Sequence, residues 1–195
     1  MIYQNLKELG SRLYFTVKDA ADILRVKPES AWVLCARYVK EGIFLRVRKN
    51  FYVLSQKWES FSREDFFRIS NFLQVPSYVS FMTALSWYEV TTQVQRNFFE
   101  SASLKRSLQY ETEGVAFNFY KLQKEYYFDF IKKNNVFMAT KEKAFLDSIY
   151  LYSFGKYRLD MSSLDLEKLD KIRMKRLMRP FPQKTQKIIS KLCRI

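Results

Sequence analysis

A chain of 195 residues, 48% hydrophobic and 28% charged, is long enough for one large domain or two small ones and apolar enough to bury a core. It has no histidine and four glycines, which removes Ser-His and Cys-His nucleophile pairs, the commonest metal ligand, and any phosphate-cradling or dinucleotide loop. The net charge of +14 gathers at the two ends, with +5 over residues 1–54, zero over 55–167 and +9 over 168–195; uniform solubilisation would not segregate charge this way, whereas two polyanion-facing surfaces would.

The opening segment MIYQNLKELGSRLY carries charges where a signal peptide has an apolar block, and no run of 18 apolar residues occurs. A cytoplasmic protein with no membrane partner is expected. Residues 3–13 have a helical pattern with Leu6, Leu9 and Leu13 on one side. Thr16 then caps a second helix, with Asp19 in the capping-box position and Ala20, Ala21, Ile23 and Leu24 as its apolar stripe. Pro28 opens a third helix as a first-turn proline, and Gly42 ends it in the left-handed conformation. On that helix Ala31, Leu34, Cys35 and Tyr38 form an apolar face, and Ser30, Val33, Arg37 and Lys40 lie opposite. Trp32 reads as core, with an exposed aromatic contacting DNA or a partner as the competing reading.

The stretch FLRVRKNFYVL, Phe44 to Leu54, alternates apolar residues with arginines around a polar RKN. It predicts a hairpin with Leu45, Val47, Phe51 and Val53 packed on the helices and Arg46, Arg48 and Lys49 projecting at the tip. Asn50 supplies the positive φ of a tight turn. Helix, helix, tight turn, helix and hairpin is the order of a winged helix-turn-helix, whose third helix enters the DNA major groove. The candidate DNA-binding residues are Lys27, Ser30, Val33, Arg37, Lys40, Arg46, Arg48, Lys49 and Asn50.

Beyond residue 54 the expected division is a connecting helical segment over 55–75, with a helix from Ser62, and a second domain over 76–195. Glu64 and Asp65 read as first-turn residues of that helix. Ser80 caps a helix carrying Ala84, Leu85 and Tyr88. NFFESAS, VAFNFYKL and EYYFDFIKKNNVFMAT then read as strands, with a break at Glu113-Gly114. The aromatic row EYYFDF reads as core and sheet-face residues, with base stacking the competing use. Thr140 caps KEKAFLDSIYLYS, with Ala144, Phe145, Ile149 and Tyr152 inward. Two more helices follow, at about 163–178 and 183–193. The fold class is therefore α+β, a winged helix-turn-helix followed by a mixed α/β domain with C-terminal helices. Along the last two helices Lys168, Lys171, Lys175, Arg176 and Arg179, then Lys184, Lys187 and Lys191, make a second basic surface for DNA or an acidic partner. The carboxylates Glu64-Asp65, Glu111/Glu113 and Asp147 form no metal-like cluster, and Cys35 and Cys193 match no metal or redox spacing. No catalysis, cofactor or metal is expected.

TVKDAADILRVKPESAWVLCARYVKEGIFLRVRKNFYVL resembles the N-terminal winged helix of AbiEi-family antitoxins of the bacterial type IV (abortive infection) toxin–antitoxin systems. YVSFMTALSWYEV and ATKEKAFLDSIYL are similar to two downstream landmarks of that family, in its order and spacing. The resemblance spans roughly residues 10 to 195. It implies a DNA-binding N-terminal domain that reads inverted repeats ahead of its own operon, through two protomers, and represses it. It also implies a C-terminal domain that neutralises a co-transcribed nucleotidyltransferase-like toxin, AbiEii, with or without direct contact. Glu142, Lys143 and Asp147 match the downstream helix motif, either stabilising the domain or acting on the toxin. The family's usual wing glycine is Asn50 here. The competing reading is a plain winged-helix regulator with a ligand- or protein-binding C-terminal domain.

Overall fold

The structure is a computed structural model and describes residues 2–93 and 95–195. It is an α+β protein of two compact units, one formed by Met1–Ile69 with Tyr110–Gly114, the other by Ser70–Gln109 with Val115–Ile195.

In the first unit three helices, α1 (Ile2–Ser11), α2 (Val17–Leu24) and α3 (Pro28–Lys40), precede a hairpin of β1 (Phe44–Arg48) and β2 (Phe51–Leu54). The start of α2 is set locally. The Thr16 hydroxyl accepts from the Asp19 N–H (3.2 Å), and the Asp19 carboxylate accepts from the Thr16 N–H (2.8 Å). A cap of this kind contributes about 1 kcal/mol. Burial works to raise the Asp19 pKa, but the Thr16 hydrogen bonds and the Arg12 guanidinium at 2.6 Å outweigh it and hold the carboxyl below its ordinary value. Pro28 sits in the first turn of α3, where its missing N–H leaves no bond unmade. Past the end of α3, Gly42 takes φ +73°.

The core of this unit is Leu9, Phe15, Val17, Ala20, Ala21, Ile23, Ala31, Cys35, Tyr38, Phe44 and Tyr52. Phe15 exchanges two backbone hydrogen bonds of 2.9 Å with Tyr52, which adds a strand-like residue to the hairpin. Lys57, in the short helix α4 (Ser55–Trp58), donates to the Gly10 and Arg12 carbonyls at 2.8 Å and so satisfies the end of α1. The hairpin register shifts between Arg46 and Arg48. That bulge breaks the expected alternation. Phe44 and Val47 are buried while Leu45 is half-buried, because one extra residue on the bulged strand changes which side chains face inward.

Helix α5 (Arg63–Leu73) opens with a second capping box, Ser62 with Asp65, so Asp65 is a cap partner rather than only a dipole-favoured charge. The second unit is built on β3 (Ser77–Val79), β4 (Phe98–Ser103), β6 (Val115–Lys121), β7 (Phe130–Lys133) and β8 (Val136–Ala139), whose sheet also contains β5 (Leu108–Thr112), of which Leu108 and Gln109 belong to this unit. Their order is β5-β6-β4-β3-β8-β7. The sheet is mixed, with β4–β6 and β3–β8 parallel and β3–β4 and β7–β8 antiparallel. One face meets the end of α5 and the residue after it. Ser70 bonds Ser101 (2.8 Å), Gln74 bonds Ser103 (2.6 Å), and the Asn71 amide pairs with both the N–H and the carbonyl of Phe137. The other face carries α6 (Phe81–Trp87) and α7 (Lys141–Ser153), and α7 is covered in turn by α8 (Lys171–Leu177) and α9 (Gln183–Cys193).

Several sequence expectations are corrected here. Strand β3, of three residues, is too short to carry a period-two signal, whereas β5 was not expected although LQYET alternates half-buried and exposed positions. EYYFDF is not a strand: Lys124–Tyr126 is a 3-10 turn, and only Phe130 onward pairs. The helix expected from 163 begins at Lys171, behind two short 3-10 turns, because Asp170 caps it by accepting from the Ile172 and Arg173 N–H groups. Tyr152 is 40% exposed rather than inward.

Candidate nucleic-acid interface

The first unit gathers its cations on α3 and the hairpin tip. Among the nine predicted residues, Lys27, Ser30, Val33, Arg37, Lys40, Arg46, Lys49 and Asn50 are exposed, and Arg48 is half-buried. Ala31, Cys35 and Tyr38 turn the opposite face of α3 into the core, which is why the helix can present only this one. Val33 is 70% exposed, a large aliphatic left in solvent on the outward face. Trp32 is 44% exposed, so its assignment to the core is corrected; it sits one position beyond the inward stripe. Arg37 lies 3.7 Å from Glu41 and over the Tyr38 ring at 5.3 Å, which fixes its direction.

At the tip, the Arg48 guanidinium lies over the Phe51 ring at 5.4 Å and donates to the Lys49 carbonyl at 3.3 Å. Arg48 therefore does not simply project outward as expected. Asn50 has φ +57°, as the turn requires, and its side-chain oxygen accepts from the Val17 N–H at 2.8 Å. The side chain is thus committed to tying the hairpin turn to the start of α2. Its part in any interface is to place Arg48 and Lys49.

The second basic surface is narrower than the sequence spacing implies. Lys168 ends a short 3-10 turn ahead of α8, and its ammonium donates to the Glu89 carbonyl (2.7 Å). Lys171 is half-buried against Glu167 (3.3 Å). Lys175, Arg176 and Arg179 are exposed, as are Lys184, Lys187 and Lys191, which share one face of α9 by their spacing. The opposite face of α9, with Thr185, Ile189 and Cys193, is buried against α7, and Thr185 bonds Ser153 at 2.9 Å.

The motif residues Glu142, Lys143 and Asp147 are all inside. Lys143 donates to Asp147 and to the Tyr78 hydroxyl, and its ammonium lies 5.2 to 5.7 Å from the ring centres of Tyr78, Phe128 and Phe181. Asp147 also accepts from the Tyr78 hydroxyl (3.0 Å) and the Ser80 hydroxyl (2.7 Å). Ser80 therefore precedes α6 without capping it through its side chain, which is spent on Asp147. Burial lowers the Lys143 pKa and raises that of Asp147, and each charge offsets part of the effect on the other. Glu142 accepts from the Asp170 N–H (3.2 Å) and faces Arg173, which pairs with Asp129 at 2.8 Å. These three residues hold α6, α8 and the sheet to α7.

Glu100, on β4, is a second buried carboxylate. It accepts from the Met82 N–H (3.1 Å) and the hydroxyls of Tyr157 (2.9 Å) and Tyr120 (3.4 Å). Burial raises its pKa to about 7, against the pull of those donors. Nothing in the sequence marked it, since its partners lie 18 to 57 residues away. The described residues contain no group of three or more His, Cys, Asp or Glu that could hold a metal. No helix among them is long and apolar enough to cross a membrane.

No protein-family model matches this chain, and no curated protein sequence does. Among solved structures it is similar to the crystal structure of the RV2827C protein from Mycobacterium tuberculosis. The TM-score is 0.62 at 9% identity, over 97% of this chain and 74% of that one. At that identity the likeness is one of fold.

Proposed function

We propose that the first unit is a winged helix-turn-helix that binds double-stranded DNA, with α3 in the major groove and the β1–β2 hairpin as the wing. The observation that carries this is the common exposure of Lys27, Arg37, Lys40, Arg46 and Lys49 around an α3 face that is not needed for the core. Cations so placed neutralise phosphates, while Ser30 and Val33 offer a hydroxyl and methyls to base edges. With the resemblance of TVKDAAD…FYVL, YVSFMTALSWYEV and ATKEKAFLDSIYL to AbiEi antitoxins, the reading extends to a type IV antitoxin. It represses its own operon at inverted repeats and neutralises a co-transcribed nucleotidyltransferase-like toxin. Two protomers on a palindrome would double the basic surface, and Lys184, Lys187 and Lys191 would add phosphate contacts. The chain acts in this reading without catalysis of its own, in the cytoplasm.

The test is the affinity for DNA upstream of its own gene, measured across a salt series. Replacing Arg48 and Lys49 by Ala should weaken binding to every sequence and lower the salt slope by about 0.9 for each phosphate that is no longer neutralised. Replacing Lys184, Lys187 and Lys191 by Gln tests the second surface while leaving the buried face of α9 intact. An unchanged slope removes the corresponding residues from the interface. Co-expression with the neighbouring gene, scored by growth, tests the antitoxin reading: no rescue of a toxic neighbour would overturn it.

A further inference from the structure

The second unit has an open pocket of about 640 Å³ beside the carboxyl end of α7. We propose that it binds a nucleotide, with the base against Phe154 and the phosphates on Lys121 and Lys156. The volume lies within the range of small-molecule sites, roughly 300–1,000 Å³. Tyr120, Tyr150 and Phe154 supply aromatic wall, and Lys121 and Lys156 supply charge.

Phe154 is 46% exposed, yet it is not loose. Tyr150 holds it edge to face, with ring centres 5.5 Å apart, and Tyr150 in turn packs on Tyr126 (4.6 Å) and Phe181 (5.8 Å). A half-exposed ring on a rigid aromatic support is a stacking platform, and every base has a π-face to lay on it. Outside the lining, Lys184 Nζ, from α9, lies 5.5 Å from the centre of the Phe154 ring. No carboxylate lines the pocket; Glu125, which acts electrostatically on Tyr126 and Tyr150, is outside the lining. A neighbouring cleft of about 460 Å³ shares Tyr120 and Lys156 and adds Arg158, but Glu100 and Asp160 line it too, so the uncompensated positive charge belongs to the first pocket.

The carboxyl end of α7 would repel an anion, but the Leu151 and Tyr152 carbonyls there already accept from Phe154, Gly155 and Lys156. A bare phosphate would use only the lysines and leave Phe154 in water. A ligand that is at once flat, aromatic and anionic uses both. The base could belong to a free nucleotide or to the end of a nucleic-acid strand, and the chemistry is the same. The proposal does not depend on DNA binding by the first unit.

The test uses the full chain in titration calorimetry with three probes: ATP without divalent metal, inorganic triphosphate, and a single-stranded hexanucleotide. ATP should bind, and Phe154→Leu should weaken it roughly tenfold, as loss of one base stack does. Lys121→Gln with Lys156→Gln should weaken ATP and inorganic triphosphate alike. Inorganic triphosphate should bind more weakly than ATP and be insensitive to Phe154→Leu. Binding of the hexanucleotide but not of ATP, weakened by Phe154→Leu, also upholds the site and makes its source a strand. Absence of binding by both ATP and the hexanucleotide at millimolar concentration overturns the proposal. So does binding that Phe154→Leu leaves unchanged while circular dichroism shows the fold retained.

Discussion

Asp147→Asn should destabilise the second unit by about 3–5 kcal/mol, the usual loss when one partner of a buried ion pair is removed. The magnitude follows from what Lys143 would then meet. Its side chain is wholly buried, its surroundings are three aromatic rings and the Tyr78 hydroxyl, and Asp147 is its only ion-pair partner among the described residues. At contact distance, an effective dielectric near 20 gives an attraction of about 5 kcal/mol. Without it the ammonium must lose its proton or admit water. The double variant Lys143→Met with Asp147→Leu removes both charges. What remains is the loss of an acceptor for the Tyr78 and Ser80 hydroxyls, about 1–2 kcal/mol. The double variant should therefore be more stable than Asp147→Asn alone. The assay is urea unfolding followed by near-ultraviolet circular dichroism, where the single variant should also lose roughly 10 °C in thermal midpoint. The pH sign is set by Lys143. In the Asn variant its folded pKa lies further below the unfolded one, so the unfolded chain holds the extra proton and stability rises with pH toward about 10. A loss under about 1 kcal/mol in Asp147→Asn, or a double variant no better than the single, would refute the buried-pair account.

Two further outcomes are expected. Glu100 titrates near 7 when folded against an ordinary 4.5, so the folded chain binds more protons between those values and its stability falls as pH rises through that window. Glu100→Gln should remove up to about 3 kcal/mol of that decline, read as converging urea midpoints at pH 5 and diverging ones at pH 8; parallel curves would count against it. Asn50→Ala loses both the left-handed turn residue and the bond to Val17, and should cost about 2–3 kcal/mol. Asn50→Gly keeps the turn and should cost roughly half as much, and equal losses in thermal unfolding would show that the φ is not the constraint.

What the sequence determined by itself is what neighbours within about four residues decide. Thr16 with Asp19, Pro28 in a first turn, Gly42 after a helix, and the Ala31, Cys35, Tyr38 stripe are legible because each partner lies within one or two turns. The exposed cations of α3 and the hairpin follow from the same local pattern. Tertiary structure decided the rest. Phe44 is buried and Leu45 only half-buried because of a bulge, and Asn50 was claimed by Val17, 33 residues away. Strand β3 is short, and a three-residue segment is a strand only when a partner pairs with it. Helix α7 is the clearest case. A period of 3.6 predicts one buried stripe, but the sheet, α6, α8 and α9 surround it, so Glu142, Lys143, Asp147 and Ser148 are buried as well. From Glu142 to Ile149 every position of the helix is buried, so that stretch has no solvent face to give its charges. They must find one another or a hydroxyl, and that pairing is a property of the assembled layers rather than of any local stretch.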